Sequence, residues 1–144
     1  FGAEVLPRLP PHVEVHVVGH GLTAAARAVL PPERVTAHGY VPDLTPHYAG
    51  ANAVIAPIRG GGGTRVKIVE AFAHRRAVVS TTLGAEGLAS RDGEEILLAD
   101  DAATFAAACM RLVDDDALVH RLADNALSLF ERRYVPSHLP ELIA

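Results

Sequence analysis

One cysteine, no apolar run of membrane length and no surplus of positive charge already exclude several kinds of protein. A lone cysteine cannot form an intrachain disulfide, so a reducing compartment is allowed. Cys109 lies between Ala108 and Met110 in a helical pattern and reads as a small core residue. No stretch approaches the ~18 apolar residues that a membrane-spanning helix needs. With 17 acidic against 13 basic residues the formal net charge is -4. The chain therefore lacks the overall positive field that binding to a phosphate backbone demands, and nucleic acid is not expected as a partner. The 8 histidines are scattered from His12 to His138 with no convincing metal spacing and no cysteine companion, so no zinc site is expected. Phe1-Gly2-Ala3 carries neither a start methionine nor a signal-peptide pattern, from which we expect a piece cut from something longer. Internal repeats, low-complexity tracts and linkers are lacking too.

What is present is a globular balance, 49% apolar and 21% charged residues over 144 positions. That length suits one domain spanning residues 1–144, which buries roughly two thirds of its unfolded surface. Val13 to Val18, rich in β-branched residues and closed by Gly19, predicts a strand. Leu22 to Leu30 predicts a short helix stopped by Pro31-Pro32. Arg34 to Ala37 predicts a second strand, and Asp43 or Thr45 caps a small helix running through Tyr48 and Ala49. Ala53 to Pro57 predicts a buried strand feeding Gly60 to Gly63, after which Thr64 offers an N-cap oxygen. Val66, Val69, Phe72 and Ala73 are the expected core face of the helix that follows. Ala77 to Ser80 and Ile96 to Leu98 predict further strands. Two closing helices carry the stripes Phe105, Cys109, Leu112, Val113 and Leu118, Leu122, Ala126, Leu129, Phe130.

Strands alternating with helices across short loops imply parallel βαβ units. The expected fold is therefore α/β, a Rossmann-like parallel sheet flanked by helices. Ligands of such sheets settle beyond the carboxyl ends of the strands, which places Gly39–Asp43, Gly60–Thr64 and Thr81–Gly87 along one rim.

The richest stretch runs from Pro57 to Ala71. Its glycines let the backbone approach an anion, and the helix behind them presents free N–H groups and a positive dipole end. Arg65 and Lys67 in the first turn oppose that dipole, a cost of a few tenths of a kcal/mol that a bound diphosphate would reverse. The plain alternative is a flexible glycine loop with Lys67 pairing Glu70 one turn on. A Walker A ending is missing, as is the G-x-G-x-x-G of dinucleotide folds, so ATPase and dehydrogenase readings lose ground.

The segments G-G-G-T-R-V-K-I-V-E-A-F-A and A-V-V-S-T-T-L-G-A-E-G-L, preceded by H-G-Y-V-P-D-L and followed by I-L-L-A-D-D, strongly resemble the carboxy-terminal domain of group 1 (GT4-type) glycosyltransferases. The likeness covers nearly the whole chain. It implies the GT-B fold, in which two Rossmann-like domains face each other and the second holds the donor nucleotide. By that resemblance Glu70 matches the second glutamate of an E-x7-E motif that bonds the donor ribose. The first glutamate falls on Gly62, a departure from the pattern. Gly61, Gly62, Gly63, Thr64, Arg65 and Lys67 would face the phosphates. Gly39, Tyr40, Val41 and Asp43 match the G-x-V-x-D turn lining the base pocket, or Asp43 is simply a helix cap. Thr82, Gly84 and Glu86 match a loop near the donor, with Glu86 equally readable as a solvated charge. Arg75 and Arg76, at a helix end, read as structural. His20 reads as a surface histidine at a strand end.

The resemblance also implies two absences: the acceptor-binding amino-terminal domain, and the first strand of the donor domain with its arginine and lysine clamp. The parent is then expected to be a retaining, cytoplasmic glycosyltransferase of hexosyltransferase type, acting at or near the inner face of the membrane. It would move a sugar from a UDP- or GDP-sugar to a polysaccharide or cell-envelope acceptor, glycan or lipid-linked, without a metal or other cofactor. This chain alone would be inactive. A sugar-nucleotide epimerase half-domain and a non-catalytic nucleotide-binding module are the alternatives.

Overall fold

The computed structural model describes residues 1–19, 23–28, 30–60 and 64–134. His20, Leu22 and Val29 of the helix expected over 22–30, the glycines Gly61, Gly62 and Gly63, and the Thr64 side chain lie outside that description.

A short 3-10 turn (Leu6–Arg8) leads into β1 (Val15–Val18), α1 (Ala24–Ala28), β2 (Val35–Gly39), α2 (Thr45–Gly50) and β3 (Val54–Ala56). Then come α3 (Thr64–Ala73), β4 (Val78–Ser80), β5 (Leu97–Leu98), α4 (Ala102–Asp114) and α5 (Asp116–Arg133). Every ladder is parallel, as the alternation of strands and helices predicted. The ladders form two pieces, a two-stranded sheet β1-β2 and a three-stranded sheet β3-β4-β5. A hydrophobic run marks a strand but says nothing about its neighbour, so this division was invisible in the sequence.

Successive side chains of a strand point to opposite faces, and the core follows that period of two. On one face Val79 and Leu97 meet Phe105, Cys109 and Leu112 of α4. On the other, Val78 and Ile96 meet Ile68 and Phe72 of α3 and Ala126 and Leu129 of α5. Val15 of β1 and Val35 of β2 pack against the first of these clusters, so both sheets share one core layer. Arg34, just ahead of β2, ties the amino-terminal turn down by donating to the carbonyls of Leu6 (3.1 Å), Pro10 (2.8 Å) and Val13 (3.2 Å).

Helix starts use the expected chemistry. The Asp101 carboxylate accepts the Thr104 N–H at 2.7 Å to open α4, and Asp115 accepts that of Leu118 at 3.0 Å to open α5. At α2 the N-cap position is Leu44, which offers no side-chain bond, so neither Asp43 nor Thr45 is the cap; the Asp43 carboxylate, one residue earlier, accepts the Thr45 N–H at 2.9 Å.

Two expected core faces need correction. Phe72 is fully buried as expected, but Val66 is 62% exposed and Val69 and Ala73 only half-buried, while Ile68 and Ala71 complete the inward face of α3. Apolar residues occupy so much of this helix that two stripes fit a 3.6-residue period, and only contact with the sheet and α5 selects one. Val113 is also exposed, because α4 turns Phe105, Ala106, Ala108, Cys109 and Leu112 inward. Cys109 is buried as expected, and burial raises its thiol pKa to about 11.

Candidate functional site

The loops leaving β3 and β4 are bound to each other at the carboxyl end of their sheet. The Thr81 hydroxyl donates to the Ile58 carbonyl at 2.6 Å and accepts the Gly84 N–H at 3.0 Å. Gly84 is there for want of room: a Cβ would lie 2.6 Å from the Ser80 hydroxyl and 3.4 Å from the Ala56 carbonyl. Thr82 is anchored to the exit of β5, its N–H and hydroxyl both donating to the Asp100 carboxylate at 2.8 and 2.7 Å. Those two bonds hold the Asp100 carboxyl below the usual aspartate range. Beside them, Arg59, Thr81, Asp100, Asp101 and Phe105 line a shallow depression.

The first turn of α3 joins this rim through Arg65. Its guanidinium donates to the Glu86 carbonyl and stands 3.7 Å from the Glu86 carboxylate. Glu86 thus stands as the counter-charge of Arg65 while its side chain stays largely exposed, so both expected readings hold. Lys67 makes no ion pair among the described residues, and the Lys67–Glu70 pair of the plain alternative does not form.

Glu70 is engaged elsewhere. Its Oε2 accepts the Tyr48 hydroxyl at 3.2 Å. The Tyr48 ring lies flat on His74, with centroids 4.4 Å apart and an interplanar angle of 11°. Burial, then the Glu70 charge and hydrogen bond, push the Tyr48 phenol up to about 12. The Asp43 carboxyl is held below its ordinary range mainly by the Thr45 N–H and hydroxyl, with smaller contributions from His74 and His47.

The three expected loops therefore do not meet α3 at one point. Those after β3 and β4 gather at its first turn, while the segment after β2 reaches it farther along, through Tyr48 on Glu70. Gly39 closes β2 with φ +67, a conformation natural to glycine. Beyond it, Tyr40 is 67% exposed and Val41 half-buried.

Sequence reasoning missed Tyr48, His74 and Asp100, and it did not foresee that three histidines meet. His16 Nδ1 and His38 Nε2 share a hydrogen bond of 2.8 Å, and the His47 ring stands edge-on to His38 at 4.8 Å. The pairing of His16 with Thr36 across β1 and β2 brings the first two together. Among the described residues no group of three or more such side chains could hold a metal ion. Arg75 and Arg76 lie just past the end of α3 at Ala73, their N–H groups donating to the carbonyls of Phe72 and Ala71. Arg75 sits at φ 56 and pairs with Asp124 of α5 at 2.5 Å. Among the described residues no helix is long and apolar enough to cross a membrane.

Residues 1–115 match the family model described as glycosyl transferases group 1. Over 92 residues the chain is 29% identical to an uncharacterized 44.6 kDa protein in the cps region of Klebsiella pneumoniae, covering 64% of this chain and 24% of that protein. Anabaena Alr3699/HepE, crystallised in complex with UDP and glucose, superposes with a TM-score of 0.77 at 19% identity, over 96% of this chain and 42% of its own. The C-terminal domain of the group 1 family protein LpcC from Francisella tularensis gives 0.65 at 21% identity, over 76% and 58%. At those identities the likeness to the two solved structures speaks for the fold, which is the Rossmann-like half of a GT-B glycosyltransferase. The chain spans about a quarter of the Klebsiella protein and less than half of HepE.

Proposed function

The chain belongs to the group 1 glycosyl transferases, and from that premise we propose that it is the domain holding the nucleotide-sugar donor of a retaining enzyme. The transfer would run from a UDP- or GDP-sugar to a polysaccharide or cell-envelope acceptor, with the acceptor and the principal catalytic residue supplied by another domain. The observation that carries this reading is the junction at the first turn of α3, where Arg65 spans from the helix to the loop after β4. A pyrophosphate arriving there meets unpaired helix N–H groups, the positive end of the dipole and two cations.

In the proposed mechanism these groups bind the ground-state diphosphate and stabilise the charge that builds on it as the glycosidic bond breaks. Arg65 exchanges some of its bonding to Glu86 for phosphate oxygens. Lys67, with no competing carboxylate, supplies a second positive charge. Gly61, Gly62 and Gly63 fit by residue type, since a chain without side chains lets phosphate approach the backbone closely. Glu70 accepts the ribose hydroxyls, and Gly39, Tyr40, Val41 and Asp43 border the base. HepE, of related fold, has been crystallised with UDP, with UDP-glucose, and with UDP and glucose, which favours testing uridine donors first.

The test is a thermal-shift panel of UDP, GDP, ADP and their sugars on the full-length protein, followed by calorimetry on variants. Arg65→Ala and Lys67→Ala are each expected to weaken the best nucleotide about tenfold or more, the worth of a charged hydrogen bond of ~1.5–3 kcal/mol. Loss of the exposed Arg65–Glu86 pair should cost the fold no more than ~1 kcal/mol. Unchanged affinity in both variants removes the phosphate assignment.

A further inference from the structure

Glu70 and Tyr48 lie 22 positions apart in sequence, yet one hydrogen bond joins them across two helices. Tyr48 is half-buried in the last turn of α2, and it makes two contacts at the end of α3. Its hydroxyl meets Glu70, and its ring covers His74, the residue just past Ala73; the His74 N–H still donates to the Glu70 carbonyl. Residues four apart share a helix face, so a single phenol spans both. The Asp43 carboxylate accepts the N–H of Thr45, the first residue of the helix that delivers it. A carboxylate has about four lone-pair sites. Tyr48 occupies one, on Oε2, while Lys67 leaves the rest alone.

We propose that Tyr48 is a positioning residue of the donor site, orienting the Glu70 carboxylate so that its remaining lone pairs face the vicinal hydroxyls of the donor ribose. The inference rests on the ribose role of Glu70 proposed above. A free glutamate on a helix samples several rotamers, and fixing it before the ligand arrives removes that ordering cost from binding. With its phenol pushed up to about 12, Tyr48 remains a hydrogen-bond donor at neutral pH. The ring contact with His74 restrains the phenol in turn, so α2 acts as a strut between the segment after β2 and the ligand-facing side of α3.

Calorimetry of the full-length protein with UDP and 2′-deoxy-UDP separates this role from a merely structural one. Should the thermal panel select guanine, GDP and 2′-deoxy-GDP replace them. Tyr48→Phe keeps the ring and its stacking on His74 and removes only the hydroxyl. It is expected to lower the preference for the ribonucleotide roughly 3- to 10-fold, the range of one hydrogen bond, while affinity for the deoxynucleotide barely changes. Glu70→Ala should abolish the preference, and Tyr48→Phe added to it should do nothing more. His74→Ala, which leaves the hydroxyl and loosens the ring, should give a smaller loss of the same kind and serves where Tyr48→Phe folds poorly. A wild-type preference in both Tyr48→Phe and His74→Ala, with loss in Glu70→Ala, overturns the positioning role and leaves the ribose assignment standing. A preference that survives Glu70→Ala overturns the ribose assignment and this inference with it.

Discussion

The two sheets are built to different standards. In the three-stranded piece every residue of β4 is buried, and helices cover both faces. In the two-stranded piece neither β1 nor β2 buries a residue completely, and the same holds for α1 and α2. Its outer face carries His16, Thr36 and His38, all exposed. Stability is thus concentrated in the carboxy-terminal half. The candidate site straddles the boundary, with Arg65, Lys67 and Glu70 on the well-buried helix α3, Tyr48 on the lightly packed α2 and Asp43 in the turn just before it. A strongly packed helix gives ligand-facing charges a fixed frame, and a lightly packed neighbour adjusts them at small cost to the fold.

The sharpest way to break that contrast is to cut the core on each side of it. Phe72→Ala, at a fully buried position, is expected to cost ~3–5 kcal/mol by chemical denaturation. Val35→Ala, half-buried on β2, should cost about 1 kcal/mol. Equal losses would mean that the two halves share stability evenly. Next in size is Gly84→Ala, where the added Cβ meets the Ser80 hydroxyl. An overpacking loss of ~1–3 kcal/mol, together with weaker nucleotide binding, would tie the loop after β4 to both the core and the site. Full stability in this variant would detach that loop from the rigid half.

The smallest effect concerns Glu95, 3% exposed, whose carboxylate accepts the Arg91 N–H at 2.9 Å and its guanidinium at 2.8 Å. Burial alone would raise its pKa, but the Arg91 side chain and N–H together hold it below the usual glutamate range. A lowered folded pKa means a contribution fully present above about 4.3, the ordinary glutamate value, and lost as pH falls through the folded one. Glu95→Gln should therefore be less stable than the natural chain at pH 7, with the gap closing below about pH 4. A gap constant from pH 7 to 3 would assign the contribution to packing.

Most strands and helices could be read from the residues because each rests on local facts. Alternation of β-branched residues, proline stops and the turn chemistry around Asp43 act within a few positions of chain. The glycine run and Arg65, Lys67 and Glu70 stood out for the same reason, as cations and a carboxylate on one short helix behind flexible backbone. What escaped was relational. Tyr48 and Glu70 are 22 positions apart, Thr82 and Asp100 18, and His16 and His38 22. No periodicity joins such pairs, because their meeting depends on which strands lie side by side.

Composition and local order were enough to determine a parallel α/β domain, and the ordered motifs carried the resemblance to the group 1 transferases. Only the folded chain decided which apolar stripe of α3 faces inward, that Glu86 balances Arg65, and that Tyr48 holds Glu70. The physical reason is that propensity and capping act over a turn or two of backbone, whereas burial and side-chain pairing are chosen by whichever element comes to lie alongside.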